Sequence, residues 1–154
     1  MKKTVRELLS LFLLITILVS MGSCYQKGER DAYEMLVCFS EAYPMHGTVY
    51  YYDTPSDELE GVLAVLFDGE EERIPRNNIA ILLYGKTDEV SEIGIFVTSF
   101  AEEAMDIIEL ADRRIGVLES SSDGEGFIFR DREIVAYGFV GDKDRAIRLL
   151  KSIF

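Results

Sequence analysis

The side chains able to do chemistry are few and scattered. The 154-residue chain holds one histidine, His46, and two cysteines, Cys24 and Cys38. Any Ser-His-Asp or Cys-His arrangement would have to use His46, which sits between Met45 and Gly47 in a predicted turn. Cys38 falls in an apolar helical pattern with Met35, Leu36 and Phe39, where a thiol packs as a small hydrophobe. No His or Lys beside it in sequence lowers its pKa. An enzyme built on Cys38 or His46 therefore has little support. With one histidine and two cysteines in all, a structural zinc site is effectively excluded, and no Cys-x-x-Cys pair is present. Asp123-Gly124-Glu125-Gly126 and Asp142-Lys143-Asp144 do not continue into a twelve-residue calcium loop, and no Gly-rich phosphate motif occurs. Asp57, Glu58 and Glu60, and Glu70 to Glu72, are runs of carboxylates. A glycosidase needs two carboxylates facing across a cleft, which nearness in sequence does not supply, so these read as solvated charge. No metal or cofactor is expected. The one unusual enrichment is aromatic: Tyr43 and the run Tyr50, Tyr51, Tyr52. On a strand Tyr50 and Tyr52 share one face and Tyr51 takes the other. One face would be core, and the other is a candidate interaction surface for peptide, glycan or protein.

The two ends of the chain differ in charge. The net charge is −12, and residues 1–23 contribute +2 through Lys2, Lys3 and Arg6 against Glu7, which leaves −14 for the remainder. A domain so acidic repels nucleic acid and anionic head groups. Nucleic-acid binding is therefore not expected, and any membrane attachment must come from the N-terminus. That N-terminus has the secretory order: a positive start, an apolar run from Leu8 to Val19, then small residues. The run is short for a bilayer span, which needs about 20 residues. Met21-Gly22-Ser23-Cys24 resembles a lipobox, with Met21 where leucine is usual. The resemblance implies cleavage between Ser23 and Cys24, and a diacylglyceryl thioether on Cys24. Several acyl chains anchor stably where one binds marginally. Two alternatives stay open: cleavage elsewhere, disfavoured because no Ala-x-Ala site is present, and a retained N-terminal anchor. All three place the domain outside the cytoplasm. A Cys24–Cys38 disulfide would compete with lipidation for the same sulfur.

Composition after the leader is that of an ordinary globular domain, 48% hydrophobic and 29% charged over the whole chain, which argues against disorder. The organisation reads as a signal peptide over 1–23, a tether over 24–29 and one domain over 30–154. Helical spacing of Ala32, Met35, Leu36, Phe39 and Tyr43 predicts a helix over 30–42. Gly47 to Asp53 predicts a short strand. Thr54 as cap, with Pro55 after it, starts a helix carrying Leu59, Val62, Leu63 and Leu66, stopped at Gly69. Strands are predicted over 79–84 and 92–98. Ser99-Phe100-Ala101-Glu102 has capping-box spacing and opens a long helix with Ala101, Ala104, Met105, Ile108, Ala111, Ile115 and Leu118 on one face. Arg113 and Arg114 lie toward its negative end. Residues 119–126 read as a loop, 127–129 and 133–139 as two strands, and Asp142 caps a last helix with Ala146, Leu149, Leu150 and Ile153. The class is α+β: about four antiparallel strands in ββαββα order, helices on one face, preceded by an N-terminal helix and a second short helix.

Tyr43-Pro44-Met45 with Gly47-Thr48-Val49-Tyr50-Tyr51, EIGIFVTSFAEEAMDIIELADRRIGVL at 92–118 and the closing FIFRDREIVAYGFVGDKDRAIRLL resemble an uncharacterised family of small lipoproteins from Gram-positive bacteria, a domain of unknown function. The resemblance covers most of the exported domain and contains no chemical motif. It implies a lipoprotein with an α+β fold. The expected function is a non-enzymatic binding module at the outer face of the cytoplasmic membrane, contacting an envelope protein or a wall component. A structural or assembly role in the envelope is the alternative.

Overall fold

A computed structural model describes residues 31–43, 45–86 and 89–154. The leader, the tether, Ser23 and Cys24 lie outside the described residues. Asp31 caps helix α1 (Ala32–Ala42) by accepting from the Glu34 N–H at 2.9 Å. Strand β1 (Thr48–Tyr51) leads to helix α2 (Ser56–Leu66). Thr54 does not cap α2, contrary to expectation; its hydroxyl accepts from the Tyr51 N–H at 3.0 Å and holds the turn after β1. Helix α2 ends at Leu66, ahead of the expected stop: Asp68 (φ +53°) is already left-handed, and Gly69 (φ +80°) follows it, its N–H donating to the Ala64 carbonyl at 2.9 Å. A one-turn 3-10 segment (Glu71–Arg73) precedes β2 (Ile79–Lys86) and β3 (Glu89–Val97). Helix α3 (Ala101–Ser121), β4 (Glu125–Asp131), β5 (Ile134–Val140) and α4 (Lys143–Ile153) complete the chain. Asp142 caps α4 as expected, accepting from the Arg145 N–H at 2.9 Å. Among the described residues no helix is long and apolar enough to cross a membrane.

The α+β class holds, and two details of the expected architecture change. The sheet has five strands, all antiparallel to their neighbours, in the order β1-β2-β3-β5-β4. The short tyrosine strand joins it as an edge. The helices cover both faces rather than one. Helices α1 and α4 bury Leu36, Phe39, Ala146 and Leu150 against Ala80, Leu82, Ile93, Ile95 and Ala136. Helices α2 and α3 bury Leu59, Leu63, Ile107 and Leu110 against Ile79, Ile81, Phe96, Val135 and Tyr137. The cause is in the central strands. All seven residues of β5, Ile-Val-Ala-Tyr-Gly-Phe-Val, are buried. An unbroken apolar run needs cover on both sides, whereas a sheet wet on one face alternates.

The buried stripe of α3 is also rotated from the expected one. Ala104, Ile107, Leu110, Ala111, Ile115 and Leu118 face the sheet, and Met105 points to solvent. The N-terminal end of α3 is satisfied by Glu103, not Glu102: its carboxylate accepts from the Ser99 N–H at 2.7 Å and the Phe100 N–H at 3.2 Å. The helix also runs to Ser121, into the expected loop.

Gly61 in α2 and Gly116 in α3 are exposed, and an added Cβ meets nothing within 4 Å at either. Glycine loses more backbone entropy on folding than alanine does. Gly61→Ala and Gly116→Ala are each expected to stabilise the domain by about 0.5–1 kcal/mol, read as a raised melting temperature. A lowered one at either position would mean that the outer face of that helix is covered.

Candidate functional site

The expected surface, Tyr50, Tyr51 and Tyr52, is split by the sheet. Tyr50 packs, half-buried, against the core under α2 and α3. Tyr51 points to the opposite face and Tyr52 lies just beyond the strand. A residue not singled out from sequence completes the group: Tyr33, on the exposed side of α1. Its ring stacks on Tyr51 at 4.4 Å between centroids, 29° from parallel, and Tyr52 meets Tyr51 edge-on at 5.5 Å and 84°. Tyr33 is 36% exposed and Tyr52 44%. The patch is therefore Tyr33, Tyr51 and Tyr52.

Two backbone–backbone bonds and one from the backbone to the Asn78 side chain fix the patch where α1 meets the sheet. The Ala32 N–H donates to Asn78 Oδ1 at 2.7 Å, the Tyr52 N–H to the Ile79 carbonyl at 3.1 Å, and the Thr54 N–H to the Tyr51 carbonyl at 2.8 Å. Together these tie the start of α1 and the end of β1 to one end of β2. The charge of Asp31, its hydrogen bond to the Tyr52 hydroxyl, and Asp53 raise the pKa of that hydroxyl. The signal in the sequence was an i to i+18 tyrosine pair, Tyr33 and Tyr51, which only the docking of α1 makes adjacent. Tyr43 is not part of the patch. Its ring stacks on Phe39 at 5.4 Å, carries the Arg145 guanidinium at 5.3 Å, and its oxygen accepts from the Asp142 N–H at 3.1 Å, so it joins α1 to α4.

Cys38 is partly buried on α1, and His46 is exposed in the segment before β1. No group of three or more His, Cys, Asp or Glu among the described residues is placed to hold a metal ion. A shallow cleft of about 150 Å³ opens beside the N-terminal end of α3, lined by Thr98, Ser99, Phe100, Ala101, Arg130, Arg132 and Glu133. Phe100, at its edge, is 69% exposed.

The polar group that sequence reasoning missed is internal. Glu92, 1% exposed, accepts from Tyr137 Oη at 2.6 Å and from Arg114 Nη2 at 2.8 Å, with Arg114 Nε at 3.2 Å from both carboxylate oxygens. Arg114 thus pairs across to β3 and, with the helix continuing to Ser121, does not lie in its last turn as expected. Arg113 pairs with Glu70 at 2.6 Å, in a surface network with Arg73 that joins the 3-10 turn to α3. Arg113 and then Arg73 hold the Glu70 carboxyl at about 2, well below its ordinary value. Exposed pairs of this kind contribute little each, and their effect is to seat the turn.

Burial first, and then the Glu92 carboxylate, push the Tyr137 hydroxyl well above the ordinary tyrosine range. The unfolded chain releases this proton near pH 10, while the folded chain keeps it. Stability from Tyr137 is therefore fully present below about pH 10 and falls as pH rises beyond it. Phenolate absorbance should show one tyrosine ionising only with alkaline unfolding, and Tyr137→Phe should remove that delayed step. Ionisation of every tyrosine before unfolding would contradict the burial.

No family model matches the chain, and no curated protein or solved structure matches it either. What fold and site define is a five-stranded sheet covered on both faces, with an aromatic patch at one edge.

Proposed function

We propose that the chain is a membrane-tethered, non-enzymatic interaction module, and that Tyr33, Tyr51 and Tyr52 are its contact surface. The observation that carries this reading is the patch itself: Tyr33 and Tyr52, both exposed, each packed against the ring of Tyr51, at positions fixed by hydrogen bonds of the backbone. Tyrosine supplies large amphipathic contact area with only two side-chain torsions to immobilise, so a pre-stacked group binds at low entropic cost. The tether is the Cys24 lipid of the lipobox reading, which puts the domain on the outer face of the cytoplasmic membrane. From Cys24 to Asp31 is seven residues, a reach of at most about 25 Å. The patch therefore stays close to the bilayer, within range of other envelope proteins and of wall components.

Two measurements test the reading. Intact-mass analysis of protein from a bacterial membrane fraction should give a mature N-terminus at Cys24 carrying diacylglyceryl mass, lost in Cys24→Ala; an unmodified full-length chain removes the lipid anchor. Tyr33→Ala and Tyr52→Ala should leave the domain folded, lowering the melting temperature by a few degrees through the lost ring contact with Tyr51, and should weaken cross-linking to membrane partners. Unchanged cross-linking in both variants removes the patch as the contact surface. A mainly structural role predicts instead self-association in centrifugation that is insensitive to these tyrosines.

A further inference from the structure

We infer that the tyrosine patch takes the lysine or arginine side chains of a basic peptide segment, an inference that rests on the reading of the patch as the contact surface. Aromatic faces attract cations through their quadrupole, and exposed instances are individually weak. Two of the three rings expose part of their surface, Tyr33 at 36% and Tyr52 at 44%.

Carboxylates flank them. Asp31 caps the helix that carries Tyr33 and interacts with the Tyr52 hydroxyl, and Asp53 follows Tyr52 directly. The two carboxylates whose charge reaches that hydroxyl are Asp31 and Asp53, Asp31 the more strongly. A lysine ammonium lying across Tyr52 would meet a ring face and a carboxylate together. An anionic wall polymer would meet repulsion from both aspartates.

The field of the whole domain has the same sign. The chain after residue 23 carries −14, which concentrates cationic partners near the surface and speeds their encounter. The shape argues for a segment rather than a small amine. The patch is an open surface at the end of an edge strand, and a lone ammonium there would be shared with water. Several cationic side chains on one chain add their weak contacts. A neutral glycan can also stack on tyrosine, but has no use for the two carboxylates.

The test is fluorescence anisotropy of labelled hexalysine titrated with the purified full-length protein in neutral detergent, with hexaglutamate as the opposite-charge probe. Hexalysine should bind and hexaglutamate should not. Tyr33→Ala and Tyr52→Ala should each weaken hexalysine binding by about fivefold, a change of the size expected for an exposed cation–aromatic contact. Asp31→Asn with Asp53→Asn should weaken it at least as much; asparagine keeps the helix cap, so this variant stays folded. Arg130→Ala, distant in sequence and on another strand, should change nothing.

Equal hexalysine binding by the wild type and the tyrosine variants overturns the inference, because overall charge alone then suffices. Absence of hexalysine binding also overturns it. If hexalysine fails while a neutral oligosaccharide binds and loses affinity in Tyr52→Ala, the ligand class is wrong and the contact surface stands. If cross-linking to membrane partners is also unchanged in the tyrosine variants, the contact surface falls with it.

Discussion

Arg114→Leu is expected to lower the stability of the domain by about 3–5 kcal/mol, the cost of stranding one member of a buried ion pair. The asymmetry of the pair sets this size. The Glu92 side chain is 1% exposed and that of Arg114 19%, so the guanidinium reaches water and the carboxylate does not. Losing Arg114 leaves a buried negative charge with only the Tyr137 hydroxyl at 2.6 Å. Glu92→Gln should cost less, because Arg114 can turn outward. Burial alone would lower the pKa of Arg114, yet its attraction to Glu92 raises it. Adding Glu92→Leu and Tyr137→Phe to Arg114→Leu should recover much of the loss, since an apolar group of similar volume often replaces a buried pair without penalty. Urea unfolding measures this as a shift of midpoint at constant slope. A loss below about 1 kcal/mol for Arg114→Leu would mean that water reaches Glu92.

Gly94→Ala is the second large effect, about 2–4 kcal/mol, combining overpacking with a weakened hydrogen bond to a charged group. Gly94 pairs with Tyr137 across β3 and β5, and the phenol ring lies over it. An added Cβ would stand 2.4 Å from Tyr137 Cε1 and 3.0 Å from Phe96 Cε2. The ring has nowhere to retreat. Phe96 stacks beside it at 6.1 Å, Phe67 meets it edge-on at 6.0 Å, and Tyr137 is wholly buried. Any shift pulls its hydroxyl from Glu92. Gly94→Ala combined with Tyr137→Leu should therefore be less destabilising than the two single losses added, a coupling that a double-mutant cycle isolates. Gly85→Ala, in the same strand pair and with nothing within 4 Å of its added Cβ, is the control and should be near neutral. Equal effects at Gly85 and Gly94 would assign the loss to strand backbone rather than to the ring.

Periodicity alone determined most of the elements. The apolar spacing of Ala32, Met35, Leu36 and Phe39, the run Ile79–Tyr84 and the capping role of Asp142 are local properties, governed by backbone geometry and by whichever side chains lie within a turn. They needed no partner to be legible. The two-sided cover of the sheet was also present in sequence, in the unbroken apolar run Ile134–Val140, because a strand buried on both faces loses its alternation.

Tertiary structure alone decided the pairings. Tyr33 and Tyr51 are eighteen residues apart, and Glu92, Arg114 and Tyr137 span forty-five, so no helical or strand period relates them. Thr54 could cap a helix or close a turn, and the hydrogen bond to Tyr51 won because β1 is held to β2 as the sheet edge. Arg114 was expected near a helix end, but the helix continues to Ser121, two turns beyond it, so the helix terminus has little hold on the guanidinium. The buried Glu92 carboxylate does, because a charge cut off from water gains most from a partner.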